Sequence, residues 1–144
     1  MRFMMIVKAS RDSEAGQLPS PELIEAMQKY NEELIKAGVL LSGEGLHPSK
    51  EAVRISYPTP GGKPVVTDGP FAETKELIAG FWLIDVSSRE EAIQWALRAP
   101  DPHGHGEGQI ELRQVFDAPE LTDDPELLRK EAELRTLSEQ QKRS

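Results

Sequence analysis

Apolar positions along the chain fall into two rhythms. The run from Phe3 to Val7, FMMIV, is unbroken and short, which predicts a buried strand. A polar stretch, RDSEAGQLPS, reads as a loop. The rhythm then turns helical. Ser20 is suited to cap a helix and Pro21 to open its first turn, and Leu23, Ile24, Met27, Tyr30, Leu34 and Ile35 recur on one face. Gly38 ends that helix, because glycine turns left-handed at little cost. Val39 to Leu46, VLLSGEGL, predicts a strand broken or bulged at its glycines. AVRISY alternates, PTPGGKP is a turn and PVVT returns, so Ala52 to Thr67 predicts a hairpin. IAGFWLIDV is apolar at every second residue and also between them, as in a central strand with both faces covered. Ser87 with Glu90 suits a capping box for a second helix, SREEAIQWALRA, stopped by Pro100. After the loop DPHGHGEG, QIELRQVF alternates again. Ile110, Leu112 and Phe116 fall on one side, Glu111 and Arg113 on the other.

The order is β-α-β-hairpin-β-α-β, which predicts a ferredoxin-like α+β domain with an inserted hairpin. Two helices cover only one face of such a sheet. The other face still carries apolar residues, and a second copy of the sheet is the simplest cover, so a homodimer with facing sheets is expected. The domain is expected to span residues 1–117, followed by a C-terminal helical extension over 118–144. In that extension Asp124 can cap and Pro125 can open a helix, with a thin stripe of Leu127, Leu128, Leu134 and Leu137.

Composition narrows the function. The chain of 144 residues has no cysteine, which removes disulfide scaffolds, thiolate metal sites and cysteine catalysis. A net charge of −8 with scattered cations disfavours nucleic acid as a partner. The N-terminus lacks the apolar length and cleavage site of a signal peptide, and no segment reaches membrane-spanning length, so a cytoplasmic protein is expected. No phosphate-binding loop, dinucleotide fingerprint or nucleophile elbow is present, and no cofactor is expected.

The segment VTDGPFAETKE, followed by GFWLIDV and IELRQV, resembles the YCII-related family, in particular its DGPF subgroup. AGVLLSGEGLHPS resembles the subgroup's glycine-bearing second strand, and the resemblance covers Arg2 to Phe116. It implies a dimeric α+β barrel of ferredoxin-like units whose biochemical role is poorly defined. It also implies a cleft holding an Asp, at times near a His, and some relatives are joined to or encoded beside extracytoplasmic-function sigma factors. Smaller relatives carry a His on the first helix that is thought to work with an Asp. This chain has none there, and the best-aligned position is Met27, so that dyad does not transfer.

Asp68 is the leading candidate. Its plain reading is a turn residue, with Gly69 supplying unusual backbone angles and Pro70 stiffening the exit. Its functional reading is an acid/base or ligand anchor at a strand end beside a pocket, and the resemblance brings the two level. Glu73, Lys75 and Glu76 follow closely. They read as a solvated turn, or as groups that tune Asp68. Phe71 is expected to pin the turn to the core, and Trp82 and Trp95 to be core or interface. Glu111 and Arg113 point to the dimer face, where Arg113 could hold an anion, against the plainer reading of an ion pair. His103 and His105, with Asp101, suggest a metal only in outline, and a flexible polar loop is the better reading. His47 is the one His expected near a pocket edge.

Three functions follow. The first is a cofactor-independent enzyme acting on a small organic molecule, anions included. In it Asp68 is the acid/base, Glu73 or His47 assists, and Arg113, Lys75 and Glu111 stand on the substrate side. The second is a non-catalytic ligand-binding or accessory protein in a stress or sigma-factor pathway. The third is a structural dimer in which Asp68 is turn chemistry alone.

Overall fold

The computed structural model describes residues 1–143, with Thr74 and Arg143 described by backbone only. The chain folds as two compact units, Met1–Gln114 and Val115–Ser144. The first unit holds six strands: β1 (Arg2–Lys8), β2 (Leu40–Gly45), β3 (Val53–Ser56), β4 (Val65–Asp68), β5 (Ile78–Asp85) and β6 (Ile110–Gln114). Its helices are α1 (Arg11–Glu14), α2 (Pro21–Lys36) and α3 (Arg89–Arg98). Four strands form an antiparallel sheet in the order β2-β5-β1-β6, while β3 and β4 pair separately. With one helix crossing from β1 to β2 and another from β5 to β6, this is the ferredoxin-like topology with the expected hairpin inserted.

Alternation along the central strands sets the two faces. Phe3, Met5 and Val7 of β1 and Trp82 and Ile84 of β5 are buried under the helices with Tyr30, Leu34, Ala92 and Trp95. The opposite face carries Met4 and Ile6 beside Leu83 and Phe81, flanked across the ladders by Arg113 and Glu111 on one side and Ser42 and Glu44 on the other. Tyr30 locks α2 to α3. Its hydroxyl donates to the Trp95 carbonyl at 2.6 Å, and its ring meets Trp82 and Trp95 edge-on. Ser20 caps α2 by accepting from Leu23 N–H, with Pro21 in the first turn as expected.

Several details differ from the expectations. The stretch read as a loop contains α1, a single turn closed by a reciprocal Ser10–Ser13 capping box. Ser88, not Ser87, caps α3, and Glu91, not Glu90, reaches back to the Ser87 N–H and hydroxyl. Ile24 and Ile35 are exposed, because each falls to the side of the buried stripe of Tyr30 and Leu34. The irregularity in β2 falls between Leu40 and Ser42 and not at the glycines. Phe116 lies beyond β6, in the second unit.

The second unit holds α4 (Ala118–Leu121) and α5 (Pro125–Arg143). Asp117 and Glu120 form a capping box for the first, and Asp124 accepts from Glu126 N–H to start the second. Pairs one turn apart, Arg135–Glu131 and Arg129–Glu133, lace its surface. No helix among the described residues is long and apolar enough to cross a membrane.

Candidate functional site

The segment around Asp68 is built tightly, but by its neighbours rather than by its carboxylate. Asp68 ends β4 opposite Val53 and is exposed. Val53, Ile55, Val66 and Asp68 share one face of the hairpin through their cross-strand pairing. Among the described residues its carboxylate makes no hydrogen bond, so the expected turn through the Asp side chain is not formed. Gly69 donates its N–H to the Ala52 carbonyl, and a Cβ on it would overlap the Ser49 carbonyl oxygen. The Gly69–Pro70 bond is cis. Phe71 donates its N–H to the Ser49 hydroxyl at 3.0 Å, and its ring lies under the Arg54 guanidinium at 3.9 Å. Ser49 is buried. Its hydroxyl and its N–H both bond the Glu14 carboxylate, the N–H at 3.0 Å. A backbone N–H can only donate, so the order runs from Phe71 through the Ser49 hydroxyl to Glu14. The Asp-Gly-Pro-Phe segment is thereby tied to α1.

The large concavity lies elsewhere. A cleft of about 810 Å³ opens between α2 and the ends of β1, β2 and β5. Leu23, Met27 and Asn31 line it from the helix, Trp82 from the sheet, and Asp12, His47, His103 and His105 from its rim. A smaller hollow of about 240 Å³ lies beside Glu14, Ser49, Arg54 and Phe71. Asp68 borders neither.

Hydrogen bonds fix what the cleft presents. Trp82 donates its indole N–H to Asn31 Oδ1 at 2.7 Å. Indole has only a donor, so the amide oxygen is the acceptor here, which fixes the orientation of the amide and leaves the Asn31 NH₂ donors for other partners. His103 Nε2 lies 2.9 Å from the Lys8 carbonyl. A carbonyl only accepts, so Nε2 carries the proton and Nδ1 of the neutral ring is a bare acceptor. His105 Nε2 faces Asp12 Oδ2 at 3.2 Å, a His–Asp pair from α1 and the loop after α3. His47 pairs with Glu51 at 2.6 Å and is 86 % exposed, which leaves it at the outer rim.

The loop that carries two of these histidines is organised, not featureless. The Asp101 carboxylate accepts from the N–H groups of His103 and Gly106, and its carbonyl accepts from Gly104. These bonds hold the Asp101 carboxyl below its usual range. Gly104 and Gly106 take the left-handed backbone that the loop requires, and Gly108 leaves room for Asp101. No group of three His, Asp or Glu among the described residues is placed to share a metal ion.

Of the six residues expected to form the site, only His47 touches the cleft. Glu73 and Lys75 are exposed beyond the hairpin, and Glu111 and Arg113 lie on the open sheet face beside Ile6 and Met4. The cleft is also lined by Asp12 and Asn31, which no sequence motif marks, by His103 and His105 of the polar loop, and by Trp82 of the core. Asp12 was hidden in a stretch read as loop, and Asn31 is one polar residue on a helix. The signal available was Asp101 with its glycines, a loop built to aim what it carries.

A ferredoxin-like topology with a cleft at the strand ends defines the class: an α+β domain of ferredoxin-like fold. The profile of the YCII-related domain matches residues 1–119, and the chain belongs to that family. It is 39 % identical over 75 residues to an uncharacterized protein of Rhizobium meliloti (strain 1021), a match covering 52 % of this chain and 56 % of that protein. The chain thus spans little more than half of the relative's length. Its structure is similar to 5-chloro-2-hydroxyhydroquinone dehydrochlorinase of Burkholderia phenoliruptrix AC1100, solved with 2,5-dihydroxybenzoquinone, at 12 % identity and a TM-score of 0.47. That likeness covers 83 % of this chain and 98 % of the other.

Proposed function

We propose that the protein is an enzyme that moves a proton on a small organic molecule held in the cleft between α2 and the sheet. The observation that carries this reading is the half-buried His103. Its Nε2 proton is committed to the Lys8 carbonyl at 2.9 Å, which leaves the other ring nitrogen to act as base at the rim of a cleft of about 810 Å³. The His105–Asp12 pair at the rim supplies a second proton carrier, oriented by a carboxylate. Proton transfer of this kind needs only side chains, so the reading calls for no cofactor.

Asp68 as acid/base draws on the family resemblance and not on the cleft, from whose wall it is missing. A homodimer belongs to the same proposal. The face bearing Met4, Ile6, Phe81 and Leu83 is half-buried in the single subunit, and a second sheet would complete its cover.

A library of small phenols, carbonyl compounds and organic acids, followed by ligand-detected NMR and then by turnover of the hits, tests the reading. Hits are expected to move the Trp82 indole N–H resonance. Turnover is expected to fall at least tenfold in His103→Gln and to persist in Asp68→Asn. Hits that map to the β3–β4 hairpin, or turnover that vanishes only in Asp68→Asn, would move the chemistry to Asp68. Binding at the cleft without turnover would make the protein a binder.

A further inference from the structure

The cleft also constrains the charge and polarity of its ligand, a step that rests on the reading of the cleft as the site. Charge comes first. Among the described residues its lining includes Asp12, Glu44, whose side chain belongs to the open sheet face, and three histidines, and no Lys or Arg. The Lys50 ammonium approaches Gly16 at the rim but is not part of the wall. Arg113, the residue expected to orient an anion, is on β6 and outside the cleft. An anion entering here loses water and meets no fixed positive charge, within a chain of net charge −8.

Polarity comes second. Asn31 presents its NH₂ donors because the bond from Trp82 turns its oxygen toward the indole. His103 in its neutral ring presents an acceptor because the Lys8 carbonyl occupies its N–H. Both bonds orient these groups: the Asn31 NH₂ and, in the neutral ring, His103 Nδ1 are what remains for a ligand. A matching ligand therefore needs an acceptor oxygen for the Asn31 NH₂ and an N–H, O–H or acidic hydrogen for His103. Leu23, Met27 and the Trp82 ring suit a flat apolar body.

We infer that the cleft selects an uncharged small molecule carrying both a carbonyl-type acceptor and a hydrogen-bond donor, and discriminates against carboxylates.

Three probes of one shape and three charges test this: benzamide, benzoate and benzamidinium. Benzamide offers an acceptor and a donor, benzoate only acceptors and a negative charge, benzamidinium only donors and a positive charge. Each is titrated into the full ¹⁵N-labelled chain, and the Trp82 indole N–H is followed, with Trp95→Phe assigning the two indole signals. Benzamide is expected to shift the Trp82 signal saturably, with both ions at least tenfold weaker. Asn31→Asp, which keeps an oxygen for Trp82 but loses the donor, is expected to weaken benzamide at least tenfold while the unliganded Trp82 signal stays in place. Benzoate or benzamidinium acting at Trp82 as well as benzamide overturns the inference and leaves the cleft standing as the site. Silence from all three at the Trp82 signal overturns it as well. Shifts confined to the β3–β4 hairpin overturn the choice of the cleft itself.

Discussion

Replacing Tyr30 by Phe removes one oxygen from the seam that holds α2, and with it Asn31, against the sheet. The ring contacts to Trp82 and Trp95 survive, so the change isolates the hydroxyl. That hydroxyl donates to the Trp95 carbonyl at 2.6 Å. In a regular helix this carbonyl would accept from Ala99, but the Ala99 N–H goes to Ala96 instead. Without Tyr30 the carbonyl is left in a buried seam without its partner, and the loss is about 1–2 kcal/mol at neutral pH. Alkali adds a second term. The Tyr30 phenol is pushed up from 10.0 to about 12, chiefly by burial, with Arg98 drawing it down and Glu33 raising it. The fold keeps the phenol neutral to about pH 12, while the unfolded chain releases the proton near 10. Stability from this group is therefore complete below pH 10 and drains as pH rises from 10 to 12, by on the order of 3 kcal/mol in all. Urea unfolding of wild type and Tyr30→Phe at pH 8 and near pH 12 measures both terms. Wild type is expected to be the more stable at pH 8 and to lose that lead near pH 12. Parallel decline of the two proteins would refute the burial argument, and equal stability at pH 8 would refute the hydrogen-bond argument.

The Asp-Gly-Pro-Phe segment gives a contrast within one turn. Gly69→Ala is expected to cost more than about 2 kcal/mol in chemical denaturation, because its Cβ has no place beside the Ser49 carbonyl. Asp68→Asn is expected to change stability by less than about 0.5 kcal/mol, since an exposed carboxylate without a described partner holds nothing. In Asp101→Asn the Gly106 amide resonance is expected to move toward its random-coil position at neutral pH. The wild-type signal should do so only as pH falls below the ordinary 3.8, because the folded carboxyl keeps its charge to lower pH. Leu83→Glu puts a charge in the middle of the open sheet face. Light scattering is expected to give twice 16.0 kDa for wild type and 16.0 kDa for the variant, and a monomeric wild type would remove the second copy from that face.

Periodicity was enough for the sheet and its helices, because each core strand and helix declares its buried face through spacing. Phe3, Met5 and Val7 are buried every second residue, and Tyr30 and Leu34 one helical turn apart. Boundaries were less legible. Ser87 and Ser88 are chemically equal caps in sequence, and it is Ser88 that accepts from the Glu91 N–H. The cleft was hardest to see, since it is made by residues far apart in the chain. Asp12 and His105 are separated by 93 positions and meet only because α1 and the loop after α3 flank the same strand ends. Motifs are made of neighbours in sequence, which favoured the dense charges around Asp68 over polar residues that only the fold brings together.

Turn chemistry accounts for most of the Asp-Gly-Pro-Phe segment but not for its first residue. Gly69 is there because Ser49 leaves no room for a side chain. Phe71 is there to anchor under Arg54 and to hand its N–H to Ser49. Those two contacts fasten the segment to Glu14, two residues from Asp12 on the same single turn of helix. A helix of four residues with no buried side chain cannot hold its own place, so the tether at Glu14 steadies the carboxylate that faces His105. The segment therefore bears on the cleft through α1 and not through its own carboxylate. Asp68 is left on a hairpin face with Val53, Ile55 and Val66, all exposed and apolar. An exposed apolar face with one carboxylate has the character of a contact surface.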